Sequence, residues 1–137
     1  MSRVVDALQA ALAREHEAVY GYGEVGARLS GTDRTTASAY LADHRQARDR
    51  LEALIRARHA TPVGPRPAYA LPLAVQDAHT ARALGARIER ATAGAYAGLV
   101  AAATGSVRRE AALAMQDCAR RQARWIRTVD ALPGLRG

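Results

Sequence analysis

The 137-residue chain has no Lys, no Asn and no Phe, and it carries a single Cys and a single Trp. With Cys118 alone, no disulfide can close within the chain, which excludes a secreted fold stapled by disulfides and fits a reducing compartment. Strand-favouring aromatics amount to Trp125 and five Tyr, whereas Ala and Leu abound, a balance that favours helix over sheet. A membrane-spanning run is missing as well. The longest apolar stretch, Ala95 to Ala103 with Gly98 inside it, is too short to cross a bilayer. Met1-Ser2-Arg3-Val4-Val5-Asp6 enters an amphipathic pattern at once, with no secretory signal, so a cytoplasmic protein without membrane partners is expected.

The absence of Lys makes all twenty basic residues Arg, a bias that a GC-rich genome produces by itself; the net charge of +7 stands regardless. Such a charge attracts phosphates and acidic partners through its long-range field and specifies no site. No glycine-rich phosphate loop, helix-turn-helix spacing, aromatic–basic RNA motif or catalytic triad pattern is present, which argues against a standard enzyme or transcription factor.

What the chain does have is apolar residues at helical spacing in four segments, with sharp punctuation between them. The first helix is expected over about 2–30, from an N-cap at Ser2 through Leu8, Leu12, Val19 and Tyr22 to a left-handed stop at Gly31. The second is expected over 33–59, the third over 73–103 and the fourth over 106–132, capped by Ser106 and ended by Pro133. Tight turns at Gly31 and Gly105 join only antiparallel neighbours. The Pro-rich linker 60–72 would reach about 40 Å when extended, which is also about the length of the second helix. It can therefore run the height of the bundle and leave helices two and three parallel: one 137-residue all-α domain of two antiparallel hairpins joined by a long crossover, with plain up-down-up-down topology as the alternative. Helical glycines cost about 1 kcal/mol each relative to Ala, so Gly21, Gly23 and Gly26, with Gly85, Gly94 and Gly98, are expected where helices one and three approach closely or where a Tyr needs room.

The string Ala11-Leu12-Ala13-Arg14-Glu15-His16-Glu17-Ala18-Val19-Tyr20-Gly21-Tyr22-Gly23, the Pro67-Ala68-Tyr69-Ala70-Leu71-Pro72 linker and the Ala95-Tyr96-Ala97-Gly98-Leu99-Val100 segment resemble a bacterial family of ferritin-like domains of unknown function. The resemblance covers essentially the whole chain. It implies a ferritin-like four-helix bundle and leaves the chemistry open.

A ferritin-like di-iron centre takes one Glu from each of two helices and a Glu-x-x-His from each of the other two. Glu15, in register with Leu8, Leu12 and Tyr22, matches the helix-one ligand. His44 is placed inward by Leu41 and Leu51, but Leu41 stands where the pattern wants Glu. Glu89 is the acid of helix three, and on helix four Asp117 is followed three residues later by Arg120, which cannot ligate. Two readings follow. In one, Glu15, His44, Glu89 and Asp117 form a reduced site for iron or manganese. In the other, which carries more weight, no cofactor is bound and these residues form a buried polar network with Arg48, Arg120, Arg121, Arg124 and the Tyr22 hydroxyl.

Cys118 and Trp125 fall at core spacing, Trp125 serving the core or a dimer interface; His16, His59 and His79 read as surface or capping residues. The leading expectation for function is thus a binding or interaction module with a degenerate metal site, pairing as a homodimer. A metal-dependent oxidase or iron-binding protein is the alternative. DNA association through the arginines is possible and not favoured, since Asp43, Asp49, Glu52 and Glu110 interrupt the stripe.

Overall fold

The computed structural model describes residues 2–130, with side chains to Thr128, and shows four helices and, among the described residues, no strand. They are α1 (Arg3–Ala27), α2 (Gly31–Ala57), α3 (Ala78–Ala102) and α4 (Gly105–Asp130). Leu132 and Pro133, expected to end the fourth helix, lie outside the described residues.

Side-chain pairs between helices give the topology. Glu15 meets His44, so α1 and α2 are neighbours, and Tyr22–Glu89 with Glu15–Tyr96 makes α1 and α3 antiparallel. Asp33–Arg82 and His44–Glu89 advance together along α2 and α3, which are therefore parallel. Arg50–Glu110 and Thr36–Arg124 make α2 and α4 antiparallel. This is the ferritin-like bundle with one crossover. Close backbone approach occurs within each hairpin and between α1 and α3; α2 and α4 stand further apart, among the described residues.

The crossover lies along α1. Gln9 bonds both Thr61 and Val63, His16 meets the Val63 carbonyl, and Tyr20 packs its ring on Tyr69 at 5.5 Å between centroids. His16 is consequently buried beneath the linker with its Nε2 2.9 Å from that carbonyl, where a surface histidine was expected.

Helix ends differ from expectation for local reasons. Gly31 and Gly105 do adopt left-handed φ of +58° and +61°, but each opens the next helix, and α1 already ends at Ala27. Ser106 consequently lies inside the first turn of α4 instead of capping it. At the end of α2, His59 takes the left-handed position, with its N–H donating to Arg56 and that of Ala60 to Ile55, a Schellman closure without glycine. The third helix starts at Ala78, not Leu73, because Asp77 and Thr80 form a reciprocal capping box. Leu73, expected to open the helix, lies in the irregular segment before it, where Leu71, Leu73 and Val75 pack on the core at every second residue.

Two apolar clusters fill the bundle, one built around Leu8, Leu12, Leu51, Ile55 and Leu99, the other around Tyr22, Val25, Leu84, Ile88 and Trp125. Only two of the helical glycines are crowded. A Cβ on Gly21 would come 2.5 Å from the flexible end of Ile88, and one on Gly85 would come 2.8 Å from the rigid Trp125 indole nitrogen. Around Gly23, Gly26, Gly94 and Gly98 there is open space, so close approach does not explain them.

Gly85→Ala is expected to destabilise by about 1–3 kcal/mol, overpacking outweighing the helix-propensity gain. Gly23→Ala should instead stabilise by up to about 1 kcal/mol. Urea denaturation of both variants checks the pair, and equal effects would contradict the assignment.

Candidate functional site

Each helix sends one charged side chain to the middle of the bundle: Glu15 from α1, His44 from α2, Glu89 from α3 and Arg121 from α4. Helical register explains the convergence. Glu15 follows Leu8, Ala11 and Leu12 on the buried stripe of α1; His44 lies seven residues before Leu51, and Glu89 seven before Tyr96, on the buried stripes of theirs.

Glu15, His44 and Glu89 have no exposed surface. The imidazole sits between the carboxylates, with Nδ1 2.5 Å from Glu15 Oε1 and Nε2 2.9 Å from Glu89 Oε2. A neutral imidazole has one N–H, so donating to an acceptor on each side requires both nitrogens to be protonated. The other carboxylate oxygens are taken too. Tyr96 donates to Glu15 Oε2 at 2.6 Å, Arg121 Nε to Glu89 Oε1 at 3.0 Å, and Tyr22 to Glu89 Oε2. Trp125 Nε1 in turn donates to the Tyr22 hydroxyl at 2.9 Å, and the Tyr22 ring stacks on the imidazole. Two carboxylates are thus matched by an imidazolium and a guanidinium.

The titrations follow. Burial alone would push His44 down, but hydrogen bonds and charge from Glu15 and Glu89 overcome it and raise the imidazole to about 9. Burial likewise favours the neutral form of Glu89, yet His44 and Arg121 hold it below its ordinary value. Tyr22 and Tyr96 are raised by burial and by the carboxylates they serve, so both stay as donors. Burial, with Glu89 nearby, also raises the Cys118 thiol, which suits a core residue and not a nucleophile.

Of the residues singled out from sequence, Glu15, His44, Glu89, Tyr22 and Arg121 come together. Asp117 does not join them: it pairs with Arg120, three residues on, at the rim of the cleft between α2 and α4. Arg48 turns outward to Asp49, and Arg124 donates to Thr36. Tyr96 and Trp125, the latter read from sequence as a core or interface residue, are direct and indirect members of the network. Their core spacing was visible, and their hydroxyl and indole donors were the signal for the rest.

These residues do not fit the two-metal centre that the fold brings to mind. There is one imidazole where two are needed, Leu41 stands at a carboxylate position, and every oxygen of Glu15 and Glu89 already accepts a hydrogen bond. Among the described residues no group of three or more His, Cys, Asp and Glu side chains is disposed to hold a metal ion. The network does have an outlet. Glu15, Tyr96 and Arg121 form the floor of a cleft of about 740 Å³ between α2 and α4, with Tyr40, Asp43 and Arg124 on its walls.

Residues 7–137 match the family described as Domain of unknown function (DUF4439). The chain belongs to this family. It is 33% identical to a conserved hypothetical protein, rv2844, from Mycobacterium tuberculosis, over 94% of this chain and 92% of that one, with a TM-score of 0.92. A ferritin-like, diiron-carboxylate protein from Bacillus anthracis str. Ames superposes with a TM-score of 0.70 at 18% identity, over 94% of each chain, a likeness of fold. No curated protein matches.

The buried network sets the pH dependence of this DUF4439 chain. His44 is near 9 when folded and 6.5 when free, so its contribution is complete below about 6.5 and disappears as pH rises through 9. Glu89 is depressed when folded, so its contribution is present above about 4.5 and is lost as pH falls through its lower native value. Stability should therefore peak between these limits and drop by roughly 3 kcal/mol on the alkaline side. Denaturant titrations at about pH 5.5, 7.5 and 9.5 should show that slope in the native chain and a flat one in His44→Gln; a slope that persists in the variant places the titration elsewhere. Glu89→Gln, which strips His44 and Arg121 of their shared anion, is expected to cost about 3–5 kcal/mol, read in the same denaturation assay.

Proposed function

We propose that this protein is a binding module in which side-chain cations, instead of metal ions, balance the buried carboxylates of a ferritin-like bundle, and in which the α2–α4 cleft receives the ligand. The observation that carries the reading is the complete use of both carboxylates: four oxygens, each accepting from His44, Arg121, Tyr22 or Tyr96. A metal would have to displace the imidazolium and leave Arg121 beside it, two unfavourable steps. The network also fixes the floor of the cleft in one geometry, which lowers the ordering cost of binding.

No helix of the described residues is long and apolar enough to cross a membrane, and together with the single buried Cys118 this supports a cytoplasmic role. DNA association is not favoured, because Arg14, Arg48, Arg50 and Arg120 each pair with a neighbouring carboxylate. The expected homodimer is a matter for sedimentation of the same sample.

Elemental analysis of untagged protein from cells grown with iron and manganese tests the core of this reading, alongside Glu15→Ala and His44→Ala. The expected result is well below one metal per chain in all three, with both variants destabilised by about 3–5 kcal/mol for the charge left unpaired. Near-stoichiometric metal in the native chain, lost in both variants, would overturn it.

A further inference from the structure

The cleft over the network continues into a second one. Toward the α2 C-terminal end the seam between α2 and α4 opens a further 240 Å³, walled by Leu51, Leu54, Leu99, Val107 and Leu113. The two spaces share Ala47, Tyr96, Ala114 and Asp117. They therefore form one groove along the seam where the helices stand apart.

Its ends differ in chemistry. The larger end carries Arg120, Arg121 and Arg124, with the exposed Arg127 beyond them. Arg120 is held by Asp117, and Arg121 by Glu89 and more loosely by Asp43 at 3.6 Å. Arg124 is different. Among the described residues the one hydrogen bond of its guanidinium goes to the Thr36 hydroxyl, its Nε is buried without a partner, and no carboxylate pairs with it. Arg124 lines the cleft with no carboxylate beside it among the described residues, so an incoming carboxylate can pair with its guanidinium, while Tyr40 lines the same space. The smaller end is mainly aliphatic, with the Arg50–Glu110 ion pair joining α2 to α4 beside it, and Leu113, which lines it, is 61% exposed, a large apolar side chain in water at a groove. From Arg124 to Leu113 is eleven residues of α4, about 16 Å at 1.5 Å per residue.

We propose that the α2–α4 seam holds an anionic amphiphile, a single acyl chain bearing a carboxylate, with its head on Arg124 and its tail between Leu54 and Leu113. Charge complementarity selects the head and the aliphatic walls select the tail. The assignment rests on the reading of the protein as a binding module, to which it adds the class of ligand.

Calorimetric titration of the full chain with monomeric dodecanoate tests the assignment, with butanoate as the head alone and dodecan-1-ol as the tail alone. Saturable one-to-one binding of dodecanoate is expected, with each half-ligand about tenfold weaker or worse. Arg124→Gln should weaken it about tenfold and Leu113→Glu about fivefold or more. The comparison among the three ligands uses only the native chain, so it stands even if a variant fails to fold. No saturable binding, equal affinity for butanoate, or indifference to Arg124→Gln would each overturn the proposal. So would a dimer that Leu113→Glu dissociates and dodecanoate leaves intact, since the groove would then belong to a second copy. Metal content measured on the same sample separates the two levels: stoichiometric metal defeats the metal-free reading, whereas metal-free protein that ignores dodecanoate defeats only the choice of ligand.

Discussion

The imidazolium of His44, held between Glu15 and Glu89, is the contact on which the rest of the bundle is registered. Its two N–H groups point to opposite sides of one small ring, so a single side chain from α2 fixes the positions of α1 and α3 at once. Arg121 extends the same tie to α4 through Glu89. An Ala- and Leu-rich bundle packs by size and tolerates sliding, because apolar contacts have no direction. Hydrogen bonds to buried charges do have direction. Moving one helix by a turn would set a carboxylate or an imidazolium against aliphatic side chains, a cost that apolar burial elsewhere does not recover.

The core is layered accordingly. Leu8, Leu12, Leu51, Ile55 and Leu99 lie on one side of the charged layer and Tyr22, Val25, Leu84, Ile88 and Trp125 on the other. Going along α1, the order is apolar cluster, Glu15, apolar cluster; along α2 and α4 it reads the same way through His44 and Arg121. The charged layer adds little to net stability compared with an apolar one of equal volume, since desolvation consumes most of the attraction. What it supplies is a single register, in the way that one buried polar position fixes the register of a coiled coil.

Much of this was legible from periodicity. The four helices, the crossover and the inward placement of Glu15, His44 and Glu89 all follow from spacing relative to Leu, Tyr and Gly. What failed was the choice on α4. Asp117 and Arg121 are one turn apart, and a metal-binding template asks for an acid, so Asp117 was the natural candidate. Once two carboxylates are buried, however, the local demand is for positive charge, and Arg121 meets it while Asp117 stays with Arg120 at the rim. The start of α3 was misplaced for another reason. Leu73 extended the apolar pattern of α3 backwards, but Leu71, Leu73 and Val75 recur at every second residue, which is not a helical spacing, and Asp77 with Thr80 marks the true cap. His16 was read as a surface or capping residue because nothing local reveals that a linker residue 47 positions away will cover it.

Two carboxylates in the middle of a helical bundle must be neutralised, and metal ions or side-chain cations can both do it. The choice has structural consequences. Metal ions depart and exchange, so a bundle that relies on them has a centre whose charge depends on its surroundings. An imidazolium and a guanidinium are tethered, so a balance that they supply changes only with protonation. Because Arg121 reaches the centre from α4 across the side where α2 and α4 stand apart, its stem and the Tyr40 ring beneath it, 5.8 Å away, form part of an open wall instead of a sealed core. The same residue therefore completes the internal charge balance and shapes the cleft, and a change at position 121 cannot alter one without the other.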